Sequence, residues 1–267
     1  MENLAYLILL FHSFVIPAQL SAPGSGEYPN NTITAGMNPA TSVANFLSDS
    51  FAFEDSIQHL YSSIDLEKYN LPYAVFKYGM IGYYSLKKDG KLSGKNLISI
   101  IDFTKPSTAK RFYTIDLEHL KVLYHSYVSH GRNTGENMAK SFSNIAQSNQ
   151  SSIGFYTTAE TYVGSKGYSL KLDGMEKGFN DKIRERAVVM HEADYVSEGW
   201  IKQNGRLGRS QGCPALPKAI AHEVIDVIKG GTPIFAYFDD ESYLRSSSCL
   251  DLNKVLSSDN TSARLNP

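Results

Sequence analysis

The sequence predicts an α+β domain, mostly β, and three observations carry that prediction. Between residues 97 and 238 the apolar residues fall in short runs rich in Ile, Val, Tyr and Phe, bounded by Gly, Asp, Asn and Ser, which is the pattern of strands. Helical spacing is confined to two stretches ahead of these runs and one near the end. Strands and helices do not alternate as βαβ units, which argues against a doubly wound parallel sheet. With 267 residues, 42% of them hydrophobic and 20% charged, the chain can build a sizeable core, and fibrous or wholly disordered readings are excluded.

Residues 1–22 read as an export signal: Leu4 to Val15 is apolar, Pro17 ends the run, and the small residues Ser21 and Ala22 stand at a plausible cut. That run is too short to span a bilayer, and no other is long enough, so no membrane span is expected after signal removal. Residues 23–52 open with Pro, Gly, Asn, Ser and Thr and are read as a tether. In the helical lead-in, 53–73, Phe53, Ile57, Leu60, Tyr61 and Ile64 share one helix face. Leu71-Pro72 then opens a second helix that runs through Phe76, Met80, Tyr84 and Leu86 and closes at Gly90. The main body is placed at 74–240. Its expected strands are 97–103, a hairpin of 111–115 with 122–128, then 153–162, 168–172, 187–191 and 233–238. A late helix at 217–229 has Pro217 in its first turn and Gly230-Gly231 past its end. Residues 241–267, rich in Ser, Asn and Asp, are expected to form a partly ordered polar tail.

The charge balance, 26 Lys plus Arg against 27 Asp plus Glu, excludes a protein built mainly to hold nucleic acid. The densest chemical signal is Gly208-Arg-Ser-Gln-Gly-Cys-Pro214, a glycine-bracketed loop ending in Cys213 just before the late helix. A thiol near a helix N-terminus has its thiolate stabilised by unpaired N–H groups. The same loop matches Gly-x-Ser-x-Gly through Ser210, but neither a core strand before it nor a helix directly after it supports a serine nucleophile. A cysteine nucleophile needs a base, and His191, closing the apolar run Ala187 to Met190, is the best placed of seven histidines. Tyr195 stands where a zinc-peptidase helix would require a second histidine, so no metal is expected, and no cofactor. Arg209, beside the loop, suits a bidentate clamp on a substrate carboxylate.

Ser210-Gln-Gly-Cys213 with His191 upstream resembles the L,D-transpeptidase family of bacterial cell-wall enzymes, in the branch with a Ser-Gln-Gly-Cys-Pro motif. The similarity extends through Ile100 to Ser107, Ser129 to Gly135, Ser151 to Phe155, Leu172 to Gly174, Gly178 to Asn180 and Arg209 to Leu216. The resemblance implies a sandwich-like β domain, a peptidoglycan stem peptide as partner, and no cofactor. It further implies that Cys213 attacks the carbonyl between diaminopimelate and the terminal D-Ala of a tetrapeptide, that His191 takes the thiol proton, and that the backbone carbonyl of Glu192 orients its imidazole. Gly212 and Cys213 N–H groups would stabilise the oxyanion, with Arg209, Ser210 and Gln211 at the substrate. Transfer to a second stem gives a 3-3 cross-link; transfer to water makes an L,D-carboxypeptidase. A non-catalytic wall-binding module is a rival of another class. Location in the periplasm or envelope and acylation by carbapenems are also implied. Two departures stand out: Gln211 and Ala215 where the wider family has His and Arg, and Glu192 where it has a small residue. A carboxylate beside His191 is expected to raise its pKa and move the pH optimum upward relative to Glu192→Gly.

Overall fold

The computed structural model describes residues 39–257. The predicted signal, 1–22, lies outside the described residues. In chain order the elements are α1 (Pro39–Ser63), a single 3-10 turn (Leu66–Tyr69), α2 (Tyr73–Lys88), β1 (Leu97–Asp102), β2 (Phe112–Asp116), β3 (Lys121–Ser126), β4 (Gly154–Gly164), β5 (Gly167–Gly174), β6 (Val189–Ala193), α3 (Glu198–Asn204), β7 (Ala215–Pro217), α4 (Lys218–Ile228), β8 (Pro233–Tyr237), α5 (Glu241–Ser246) and α6 (Leu252–Leu256).

The class is α+β, mostly β. The expected layered β body takes the form of one continuously hydrogen-bonded sheet of eight strands in the order β3-β2-β1-β8-β4-β5-β6-β7. Two pairings are parallel, β1 with β8 and β6 with β7; the others are antiparallel. Period-two alternation gives the sheet two buried faces. On β8, Phe235 and Tyr237 join one core with Ile98 and Ile100 of β1 and the lead-in residues Phe53, Ile57, Phe76 and Met80. Ile234 and Ala236 point the other way, into a second core with Leu170, Met190, Leu216 and the α4 residues Ala221, Val224, Ile225 and Ile228.

Three boundaries differ from the sequence reading. The stretch read as a tether becomes helical at Pro39, whose fixed φ suits a first helical position, so the lead-in helix begins well before Phe53. The lead-in, placed ahead of the main body at 74–240, is an integral layer of its core. The C-terminal stretch is likewise core-forming in its first half: Tyr243 and Cys249 are buried, and α5 and α6 are each N-capped by an aspartate, Asp240 and Asp251.

The α2 layer sits so close to the sheet that Gly82 has no room for a side chain: a Cβ there would be driven into the ring of Phe155, which stacks on Phe235 at 4.2 Å. Gly82→Ala is therefore expected to lose about 1–3 kcal/mol of stability through overpacking. An exposed helical glycine would instead gain about 1 kcal/mol, so the sign of the shift in urea midpoint checks the contact.

Candidate active site

Cys213 and His191 are brought together by the parallel pairing of β6 and β7. His191 lies opposite Ala215, which puts Val189 level with Cys213, and the Val189 N–H points to Cys213 Sγ at 3.4 Å. The imidazole is buried, and its Nδ1 is 2.7 Å from the Glu192 carbonyl oxygen. A carbonyl can only accept, so Nδ1 carries the proton and Nε2 of the neutral ring is left as the basic nitrogen. His191 is the middle residue of β6, which continues two residues past the strand end read from the apolar run.

The loop holding Cys213 is tied from three sides. Ser210 Oγ donates to the Cys213 carbonyl at 2.6 Å and accepts from the Gly212 N–H at 3.0 Å. Ser151 Oγ donates to the Gly212 carbonyl at 3.1 Å and accepts from the Gly131 N–H at 3.0 Å. The segment 129–132 runs alongside, with Ser129 N–H on the Ala215 carbonyl and Arg132 N–H on the Ser210 carbonyl. Beneath the loop, Arg186 donates to the Ser143 and Gln150 carbonyls and to Ser152 Oγ, each at 2.7 Å. Gly212 has φ +122 and its missing Cβ would meet the Gln150 carbonyl, so only glycine fits.

Burial pushes the Cys213 thiol above its usual range, against the opposing pull of the Val189 N–H and the Lys166 and Arg186 charges. Burial also holds His191 below the ordinary histidine value; its bond to the Glu192 carbonyl acts the other way, as does the weaker Glu192 charge, while Lys166 adds to the lowering. The resting pair is thus neutral thiol and neutral imidazole. The lowering expected beside the late helix does not prevail, because burial outweighs every group that lowers the thiol pKa; β7 separates Cys213 from α4.

The profile of the L,D-transpeptidase catalytic domain family matches residues 67–237. The chain belongs to this family. A search of curated proteins finds no match. Solved structures similar to it include an L,D-transpeptidase from Mycobacterium smegmatis (15% identity, 54% of this chain and 60% of that one, TM-score 0.34). Others are L,D-transpeptidase 1 of Mycobacterium tuberculosis (18%, 54% and 62%, 0.31) and an Enterococcus faecium L,D-transpeptidase mutant (14%, 55% and 50%, 0.31). The chain covers 50% to 62% of the length of these three structures.

Within this L,D-transpeptidase domain the remaining expected site residues divide. Gln211 is exposed on the loop, and Ser210 is buried as its organiser. Arg209, expected to clamp a substrate carboxylate, is already engaged: its Nη1 donates to Glu136 Oε1 at 2.6 Å and to the Arg132 and Gly135 carbonyls at 3.1 Å. The Gly212 N–H, expected to face an oxyanion, is the one bonded to Ser210. The Cys213 N–H, by contrast, has no backbone or side-chain acceptor apart from its own sulfur among the described residues. Glu192 acts to raise the histidine pKa, as expected, but burial outweighs it; the carboxylate is turned to His222 of α4, with Oε2 3.2 Å from Nε2. Ser151 and Arg186 carry the loop; the sequence marked Ser151 only through the similarity over Ser151 to Phe155, and Arg186 only as one of several arginines able to clamp a substrate carboxylate, not as a support of the loop. Among the described residues no group of His, Cys, Asp and Glu is arranged to hold a metal, and no helix is long and apolar enough to cross a membrane.

Proposed function

We propose that this protein is a cysteine L,D-transpeptidase of peptidoglycan, exported to the envelope where its substrate lies. The observation that carries the reading is the pairing of a thiol level with Val189 and a histidine two residues along the same strand, whose Nδ1 is tied to a backbone carbonyl. His191 Nε2 takes the Cys213 proton as the sulfur attacks the diaminopimelate carbonyl of a tetrapeptide stem. The oxyanion is met by the Cys213 N–H, whose contact in the resting site is its own sulfur. His191 then returns the proton to the departing D-Ala nitrogen, the C–N bond breaks and a thioester remains. The amine of a second stem attacks that thioester, losing its proton to His191; the thiolate leaves and is reprotonated. Water in place of the amine gives the tripeptide instead.

The test is incubation of the protein and its Cys213→Ala variant with disaccharide-tetrapeptide, read by mass spectrometry. Cross-linked dimer or tripeptide from the unmodified protein alone, together with a carbapenem adduct on Cys213 in the intact mass, is the expected result. Binding of the muropeptide with neither turnover nor adduct would replace this reading by a wall-binding module.

A further inference from the structure

The Glu192 side chain is the part of the site that the proposed reaction leaves without a task, and its surroundings give it one. The β5–β6 ladder ends at the pair Ser169 with His191, so the Glu192 carbonyl that receives His191 Nδ1–H lies one residue beyond the last register shared with β5. Beyond that pair the strand is in register with β7 alone, Glu192 against Leu216. The side chain of the same residue supplies another hold. Its carboxylate is mostly buried, packs beside Gly167, where an added Cβ would come within 3.4 Å of Oε1, and meets His222 Nε2 at 3.2 Å.

His222 is itself fixed. It follows Ala221, a fully buried residue of the α4 face that packs on the sheet. Its ring lies 5.0 Å from that of Tyr168 on β5, and the Tyr168 hydroxyl donates at 2.7 Å to Asp226, one turn along α4. The titratable groups around His222 are therefore Glu192 from β6, Tyr168 from β5 and Asp226 from its own helix.

We propose that Glu192 and His222 form a clamp between β6 and α4 that fixes the Glu192 carbonyl against His191, which makes His222 a positioning residue for the base. This rests on the transpeptidase reading for its kinetic consequence. His222 is more than half exposed, at 57%, and exposed pairs contribute only about 0–1 kcal/mol, so the clamp acts on geometry and adds little to stability. A misaligned base slows chemistry without weakening substrate binding.

The experiment compares Glu192→Ala, His222→Ala, the double variant and His222→Lys, which keeps a hydrogen-bond donor opposite Glu192. Each single alanine is expected to lower kcat about five- to tenfold with KM within about twofold, an angular misplacement well short of losing the base. The double variant should be no worse than the poorer single one, since both break one linkage, and His222→Lys should recover most of the loss. A single-alanine kcat within twofold of the unmodified protein, or additive losses in the double variant, would overturn the clamp. Iodoacetamide labelling of Cys213 at neutral pH, located by peptide mass, reads the same ordering without any stem peptide. If the unmodified protein turns over no tetrapeptide, the function proposal fails while labelling still decides the clamp: slower labelling in the alanine variants supports it, and equal rates in all four sink it.

Discussion

Replacing His191 by Gln is expected to lower kcat by about a hundred- to ten-thousand-fold, the range for loss of a positioned general base, while the folded protein still binds its donor. The pH profile of the unmodified protein gives the second half of the test. Only the neutral ring can accept the Cys213 proton, and burial places the His191 pKa below the ordinary value of 6.5. Activity should therefore persist below pH 6.5 and fall only as the pH drops through the depressed value. On the alkaline side, a thiol pushed above 9.0 by burial stays protonated through neutrality, so the rate should hold level across pH 7 to 9 instead of following a free thiolate. A limb centred above pH 6.5 would contradict the geometry. Acid unfolding has to be separated from this limb, and His130 shows where it enters. Its ring accepts from Arg111 at Nδ1 and donates to two carbonyls through Nε2, and burial with the adjacent Arg111 charge pulls it down to about 4. A histidine depressed on folding contributes its stability fully above the unfolded value and loses it as pH falls through the folded one. That contribution is roughly 3 kcal/mol, lost between pH 6.5 and about 4. In His191→Gln the activity limb should vanish, whereas the His130-linked loss of stability should remain measurable by circular dichroism.

The elements legible in the sequence were those with a buried face. Strands β1, β4, β5, β6 and β8 and helices α2 and α4 place apolar residues at the period of their own geometry, and each was found within a few residues. What escaped had no such face or too little length. Helix α3 buries nothing; only its Ser197 cap, Glu198 in the first turn and Gly205 at the end mark it. Strand β7 is three residues long and lies in the segment expected to lead straight into the late helix, yet it sets the register between His191 and Cys213. Cys213 and His191 were legible as a candidate pair because thiol and imidazole are scarce and their neighbours distinctive. The engagement of Arg209 Nη1 was not legible, since its pairing with Glu136 joins residues 73 apart, a relation no local pattern discloses. The support that Arg186 gives was hidden for the same reason: its acceptors at Ser143, Gln150 and Ser152 come from a loop more than thirty residues away.

Glu176→Ala is expected to be the most destabilising of the substitutions considered, at about 3–5 kcal/mol, because it removes a buried acceptor that three donors share and leaves a void. Glu176 is 1% exposed, between β5 and the turn at 178–180. Its Oε2 accepts from the Phe155 N–H and the Tyr243 hydroxyl, each at 2.8 Å, and its Oε1 accepts from Ser247 Oγ. The carboxylate thus fastens α5 to β4, and Gly154, with φ +102, is what lets it approach, since a Cβ there would fall on Oε2. Loss of the side chain orphans all three donors and leaves a void; no hydrophobic replacement satisfies the Phe155 N–H, whose place in the chain is fixed. Tyr243→Phe removes a single one of these bonds and should cost about 1–1.5 kcal/mol. The ordering, with Glu176→Ala well beyond Tyr243→Phe at unchanged urea m-value, distinguishes a shared buried acceptor from three independent contacts. A Glu176→Ala loss under 1 kcal/mol would mean that the C-terminal helices are held by apolar packing of Tyr243 and Cys249 alone. None of the Glu176 bonds reaches Cys213 or His191, so the surviving folded fraction should label at Cys213 with iodoacetamide at the unmodified rate. A slower rate would show that the C-terminal layer bears on the site through β4, which would extend the active domain past the family's match at residue 237.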